Sequence, residues 1–222
     1  HFSLAHILPI VIAGVVIYLI FRYRDKIRDT KFDEKFRLVL SFALIITEMS
    51  YFWRLVGVPD LQPHPTDHLP ITVCGWAVIF SAYFLLTKNQ TLFDITYFWL
   101  FSGTLFALIT PTVLSYCGPT RFRYYQFWCE HLFGYIALFY MIFVHGMKIN
   151  IKSLFKSLAC LVVLAVIAYF ANKNLLIAIP TPLTVAKAFV RLSKNLSFWL
   201  SAFFSLYRVL IGFLLSVILF LL

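Results

Sequence analysis

Long apolar stretches recur along this chain and are separated by short polar segments, a pattern that allows few folds. Most stretches come close to the roughly 20 residues that an α-helix needs to cross a bilayer. The chain of 222 residues is 62% hydrophobic and 13% charged, which is too little polar surface for a water-soluble protein. We predict an all-α fold, a polytopic transmembrane helical bundle of about six to seven helices. The predicted helices span residues 3–21, 37–58, 70–87, 92–116, 125–147, 157–172 and 198–222.

The distribution of basic residues predicts the orientation of the bundle. The first polar segment, RYRDKIRDTKFDEKFR, is rich in Lys and Arg, whereas the segment between the second and third helices has none. Because cytoplasmic loops are enriched in Lys and Arg, we predict a multi-pass protein of the cell membrane with an extracytoplasmic N-terminus. Arg121, Arg123 and the basic residues of 173–194 fall on the outer side, against this rule. The net charge of +10 therefore predicts membrane lipids as partners and no nucleic acid.

Polar side chains inside the apolar stretches are the main functional signal, because charged groups in a bilayer are costly. Glu48 lies near the middle of the second helix. Arg54 follows six residues later, about 240° around the helix, so the two side chains cannot pair on one face. Each must find partners on other helices. Glu48 is therefore expected either at a helix interface or in a polar cavity.

Two further helices place reactive groups at a similar predicted depth. Cys74 and His131 come about four and six residues after the predicted starts of their helices, counted from the outer side. Glu130 and the hydroxyl groups of residues 110–115 lie near them. The inner side offers only His145 as a comparable group. We predict one polar pocket that opens toward the outer leaflet.

The pocket composition permits nucleophilic catalysis. A cysteine thiolate can attack an acyl carbonyl while a neighbouring imidazole takes up and returns the proton. The alternative is that Cys74 only packs, as buried cysteines commonly do.

Two other patterns each allow a functional and a purely structural interpretation. His68 ends the segment HPTDH, which reads as a solvated loop rather than a zinc site, and Cys117 and Cys129 either form a disulfide or stay apart. No metal and no cofactor are predicted.

Several segments resemble the YwaF-like family of bacterial integral membrane proteins. They include Glu48 with YFWR, and they continue with HLPITVC, LLTKNQTLFDITYFWLFSGTLFALITP, FRYYQFWCEH and FVHGMK. The family is similar to eukaryotic membrane hydrolases of fatty-acid esters and to a membrane acyltransferase that remodels ether phospholipids. The resemblance implies Cys74 as nucleophile and His131 as its partner, although the hydrolases use a threonine. The bacterial motif has a histidine two residues before the cysteine. Here that position is Thr72, which leaves His68 as the nearby imidazole.

The C-terminal part resembles a different family. Residues 173–222, with SLYRVLIGFLL near the end, are similar to the start of the permease subunit of nitrate/sulfonate/taurine-type ABC importers. We predict two domains, a six-helix YwaF-like membrane domain at 1–172 and an amphipathic segment with one helix at 173–222. Both ends of the chain are expected to be cuts in a longer protein. If the tail is a working permease element, ABC transporter subunits are further partners.

The predicted function is a membrane-embedded acyltransferase or lipid-ester hydrolase. Its catalytic residues are Cys74 and His131. The supporting residues are Glu48, Arg54, His68 and Glu130, and the expected contacts for a lipid phosphate are Arg121 and Arg123. The alternatives are a membrane transport component and a bundle without enzymatic activity.

Overall fold

A computed structural model gives the fold. The structure describes residues 3–58, 72–115 and 117–174, and in the C-terminal part residues 190–191, 194–197, 199–200, 203–204, 207, 211 and 214. The predicted seventh helix at 198–222 and the loop with His68 therefore lie largely or wholly outside the described residues.

The described residues form helices and no strand, which confirms the all-α prediction. The helices are α1 (Leu4–Ile27), α2 (Lys31–Gly57), α3 (Val73–Thr87), α4 (Gln90–Trp99), α5 (Leu105–Ile109), α6 (Phe122–Phe143) and α7 (Ile151–Asn174). A π-helical segment, Leu100–Thr104, joins α4 to α5 into one rod. In the described part of the chain, three helical rods are long and apolar enough to cross a membrane: Leu4–Ile27, Lys31–Arg54 and Gln90–Ile109.

Helix α6 is the centre of the bundle. It packs against α1, α2 and α3, while α4 lies against α3 and α7. Gly134 of α6 lets Leu100 come close, because a Cβ at this position would lie 3.0 Å from Leu100 Cδ2. Such small residues matter in membranes, where helices associate through close packing rather than through the hydrophobic effect.

The first polar segment is mostly helical, which corrects the prediction of a loop at 22–36. Helix α1 continues to Ile27, and α2 begins at Lys31. Thr30 caps α2 by accepting a hydrogen bond from Asp33 N at 3.3 Å, and acidic residues in the first turn suit the positive end of the helix dipole. Charged residues with good helix propensity extend a helix beyond its apolar part. The prediction from hydrophobicity alone therefore underestimated the lengths of both helices.

Two other predicted boundaries moved for local reasons. The helix predicted at 92–116 ends at Ile109, two residues before Pro111, since the residue before a proline disfavours helical geometry. The helix predicted at 157–172 begins at Ile151. Its first turn is capped by Asn150, whose side-chain oxygen accepts a hydrogen bond from Ser153 N at 3.1 Å.

A buried ionic network closes the bundle at the end where α2 begins. Asp33 is 1% exposed, and its Oδ1 accepts hydrogen bonds from Arg37 Nε at 3.0 Å and Tyr140 OH at 2.7 Å. His145 Nε2 lies 2.9 Å from the same oxygen. Arg37 also donates to Leu85 O at 2.7 Å, so α2, α3 and α6 meet in one network. The prediction of His145 as the only such group at this end was wrong, because Asp33 was assigned to a loop.

A second buried carboxylate ties α4 to α7. Asp94 accepts hydrogen bonds from Lys156 Nζ at 2.6 Å and from Gln90 Nε2 at 2.8 Å. Gln90 donates in turn to Lys148 O at 2.7 Å. Both carboxylates have cationic partners, as buried charges require.

Candidate functional site

Cys74 lies in the first turn of α3, at the end of the helix where the backbone dipole is positive. Thr72 caps this turn, and its hydroxyl accepts a hydrogen bond from Gly75 N at 3.1 Å. A helix N-terminus stabilises negative charge, and the thiolate is the nucleophilic form of cysteine. The half-buried thiol lies 3.9 Å from the Thr104 hydroxyl. The start of α3 thus places the thiol against a hydroxyl of the neighbouring rod.

Thr104 reaches Cys74 from the π-helical segment of the neighbouring rod. This side chain is buried at 2% exposure. The Leu100 carbonyl at the start of the segment accepts from Leu105 N and also from Tyr135 OH at 2.7 Å. Segments of this kind are rare and often occur at functional sites. Sequence reasoning missed Thr104, for which the only signal was the run FSGT inside an apolar stretch.

A polar cluster from α2 and α6 lies beside the Cys74 turn. Glu130 Oε2 accepts a hydrogen bond from Gln126 Nε2 at 2.7 Å, and the same nitrogen lies 3.3 Å from Thr47 O. Arg123 Nη1 is 3.8 Å from Glu130 Oε2 and bonds the Gln126 side-chain oxygen. The Arg123 guanidinium also lies 4.5 Å from the centroid of the Tyr51 ring, a cation–π contact. A carboxylate, an amide and a guanidinium therefore join the two helices.

Glu48 adds a second carboxylate to this cluster. It is buried at 6% exposure, and its Oε1 points at the backbone of Gly75, where an added Cβ would lie 2.6 Å away. Glu48 is within electrostatic range of Glu130 and Arg123. Cys74 is within range of both carboxylates. The missing side chain at Gly75 is what allows Glu48 to approach the start of α3.

Replacing Gly75 should measure how tight this approach is. The added Cβ of Gly75→Ala meets the flexible end of Glu48 and, at 3.2 Å, the hydroxyl of Thr72. Both are side-chain atoms that can shift, so the free energy of unfolding should change by about 1 kcal/mol or less. Gly75→Val cannot be accommodated in this way and should lose about 1–3 kcal/mol through overpacking. Unfolding of the purified protein in detergent gives both values. Gly14→Val, at a position where an added Cβ meets nothing within 4 Å, is the control. Equal losses in the two valine variants would contradict the close approach.

His131 is a buried imidazole on the helix that faces α3. Its Nδ1 lies 2.8 Å from Phe127 O, and its ring centroid is 4.4 Å from that of the Phe127 ring. Because a carbonyl oxygen only accepts, Nδ1 carries the hydrogen in the neutral ring, and Nε2 keeps a lone pair. His131 is within electrostatic range of Glu130, as Cys74 is. The hydrogen bond to Phe127 thus orients the imidazole as a proton acceptor.

A comparison with known families matches the chain along its whole length. The family model described as the TMEM164 family covers residues 1–222. The chain belongs to the TMEM164 family. This is a family of membrane proteins, in agreement with the apolar rods of the bundle. The chain matches no curated protein and no solved structure.

In this TMEM164 family member, α2, α3 and α6 bring together five of the predicted site residues. These are Cys74, His131, Glu48, Glu130 and Arg123. The thiol and the imidazole are not hydrogen-bonded to each other among the described contacts, since the thiol faces Thr104 and the imidazole faces Phe127. Their catalytic pairing stays a prediction. Thr104, Gln126 and Gly75 complete the region, and sequence reasoning named none of them as part of the site.

The described contacts do not include the other predicted site residues in this cluster. Arg54 is half-buried near the end of α2, and Arg121 is exposed at the residue that precedes α6. His68 lies outside the described residues. All four cysteines are free, so Cys117 and Cys129 do not form a disulfide in this structure.

An apolar cavity of about 620 Å³ opens between α1 and α6. Its walls include Leu8, Ile12, Trp128, Cys129, Leu132 and Ile136. Neither Cys74 nor the two carboxylates line it. Cys129 is therefore a cysteine of the same protein that lines this apolar cavity, which Cys74 does not.

At the opposite end of α2, Asp29, Asp33 and His145 bring ligand atoms within 4.8 Å of one another. Arg37 lies 3.0 Å from the Asp33 oxygen that would have to bind a cation. The positive charge of the guanidinium already neutralises this carboxylate. We assign no metal to the cluster.

Proposed function

We propose that this TMEM164 family member is a membrane-embedded enzyme that transfers or hydrolyses acyl groups of lipid esters. The observation that carries the proposal is the Cys74 thiol at the start of α3, placed against the Thr104 hydroxyl and within electrostatic range of Glu130. A reactive group and several ionisable partners at the wall of an apolar bundle fit a substrate that is itself a lipid.

Cys74 acts as the nucleophile in the proposed reaction. Its sulfur attacks the ester carbonyl and forms an acyl-thioester, and the lipid alcohol leaves. His131 Nε2 accepts the thiol proton and returns it when the acyl group moves on. A second lipid alcohol gives transfer, and water gives hydrolysis. The resemblance to the ether-phospholipid acyltransferase supports transfer, and the resemblance to the fatty-acid ester hydrolases supports hydrolysis.

The basic side chains at the start of α6 suit the headgroup of such a substrate. Arg123 is partly exposed although it contacts Glu130, and Arg121 is exposed two residues earlier. An arginine can bind a phosphate through two parallel hydrogen bonds. With the orientation predicted from the basic loops, this end of the bundle lies at the extracytoplasmic leaflet, where the ester carbonyls of phospholipids meet the headgroups. Arg54, at the end of α2, is a further candidate for this contact.

The resemblance of residues 173–222 to an ABC permease supports a second candidate, a transport component. These residues lie mostly outside the described ones, so the resemblance is the sole support for this candidate. A permease role requires the tail to work with ATPase subunits, whereas the polar cluster of α2, α3 and α6 requires none.

Comparative lipidomics tests the proposed function. Cells should express the wild type, Cys74→Ala, His131→Ala or Cys129→Ala at matched membrane levels. We expect the wild type and Cys129→Ala to shift the acyl composition of phospholipids in the same way, and the other two variants to leave it at the level of untransformed cells. Released fatty acid would indicate hydrolysis, and redistribution between lipids would indicate transfer. If all four lipid profiles coincide, the acyl-transfer proposal is wrong.

A further inference from the structure

Glu48 is a buried carboxylate without a hydrogen bond among the described residues. It is 6% exposed, in the middle of a helix long enough to cross the membrane, and its Oε1 faces the backbone of Gly75. An ionised carboxylate in such surroundings is costly unless hydrogen bonds or a cation satisfy it. The contacts of Glu48 are therefore those expected of the neutral acid.

Glu130, by contrast, has the partners that an ionised carboxylate needs. It accepts a hydrogen bond from Gln126 at 2.7 Å, and Arg123 Nη1 lies 3.8 Å away. The same Gln126 nitrogen lies 3.3 Å from the backbone oxygen of Thr47, the residue before Glu48. Glu48 and Glu130 are within electrostatic range of each other, and two carboxylates in that range cannot both ionise easily in a medium of low dielectric constant. One positive guanidinium beside the pair balances one negative charge.

We propose that Glu48 is protonated while Glu130 is ionised, and that Glu48 is the second acid–base group of the site. This inference rests on the proposed function for its role in catalysis. Among the described residues, the other titratable or charged groups that interact with the pair are Cys74 of α3 and Arg123 and His131 of α6. Only Arg123 among them carries a permanent charge.

The Cys74–His131 pair supplies no proton to the alcohol that leaves the ester, and a protonated Glu48 does. When sulfur attacks the ester, the C–S bond forms, the C–O bond breaks, and the departing alkoxide needs a proton. Glu48 supplies it, while His131 holds the proton from the thiol. In the second half, the incoming alcohol or water gives its proton to the Glu48 carboxylate and attacks the thioester. The C–S bond then breaks, the sulfur takes the proton back from His131, and both groups return to their starting states.

Infrared spectroscopy tests the proton on Glu48 without reference to activity. The full chain in a detergent that contains no carbonyl group should show the C=O stretch of a protonated carboxylic acid, and Glu48→Gln should remove it. Glu34→Gln is the matched control, because Glu34 lies exposed on the same helix. In Gly75→Ala, which keeps the acid and moves it, the band should shift. A band that is unchanged in both Glu48→Gln and Gly75→Ala would overturn the proposal.

Leaving-group dependence tests the catalytic role. An aryl ester releases a stable phenolate that needs no proton, whereas an alkyl ester releases an alkoxide that does. Glu48→Gln should slow the release of alcohol from an alkyl lipid ester by about 10²-fold or more, and release from an aryl ester by less than about tenfold. Equal losses on both esters would overturn the acid role. If the wild type itself transfers and hydrolyses no acyl group while the infrared band is lost in Glu48→Gln, the proposed function fails but the proton on Glu48 stands.

Discussion

Cys74→Ala should lower the rate of acyl transfer by the purified protein by at least about 10³-fold, because the nucleophile is removed and no other group takes its part. Cys129→Ala should leave the rate unchanged, since that thiol faces the apolar cavity between α1 and α6. The rate should be measured with a phospholipid donor and a lysophospholipid acceptor in vesicles. The fold should survive, because losing one sulfur atom from a half-buried position costs about 1 kcal/mol or less.

Intact-protein mass spectrometry can observe the intermediate directly. Short incubation of the wild type with the donor alone should add the mass of one acyl group, and hydroxylamine at neutral pH should remove it, as expected for a thioester. Neither signal should occur in Cys74→Ala. If that variant stays active and Thr104→Val is inactive instead, the nucleophile is the Thr104 hydroxyl. That outcome would match the threonine of the hydrolases that the sequence resembles.

The membrane bundle could be predicted from the sequence because hydrophobicity over some 20 residues is a strong constraint. The ends of the helices could not be predicted equally well. Asp33 lies in a charged stretch that reads as a loop, yet it is in the first turn of α2 and is buried. Its burial depends on Arg37, Tyr140 and His145, and two of these come more than 100 residues later in the chain. A single sequence does not reveal such pairings.

The residues of the candidate site also fall into two groups, those that the sequence predicts and those that it does not. Cys74, His131 and Glu48 could be named because polar groups inside apolar stretches are costly and therefore rare. Thr104 and Gly75 could not. Thr104 depends on a π-helical segment that rotates its hydroxyl toward α3, and Gly75 matters only because a carboxylate from α2 lies against it. Both depend on which helices are neighbours, and this is decided by packing across the whole bundle.

Asp33→Ala should cost about 3–5 kcal/mol of unfolding free energy, the loss expected when one partner of a buried ion pair is removed. Arg37 would keep its hydrogen bond to Leu85 O, but its charge would remain buried beside an empty position. The hydroxyl of Tyr140 and the ring of His145 would lose their acceptor as well. Unfolding in detergent micelles, followed by circular dichroism, measures the loss.

Asp25→Ala is the control for the Asp33 prediction. Asp25 is an exposed carboxylate near the end of α1, with Arg24 and Arg28 at 3.7 and 3.9 Å. Exposed pairs contribute about 0–1 kcal/mol, so this variant should unfold almost as the wild type does. The double variant Asp33→Leu with Arg37→Met then separates charge from packing. If the buried arginine causes the damage, removing both charges should restore most of the stability that Asp33→Ala loses. If the double variant is as unstable as the single one, the network stabilises the bundle through its hydrogen bonds to α3 and α6.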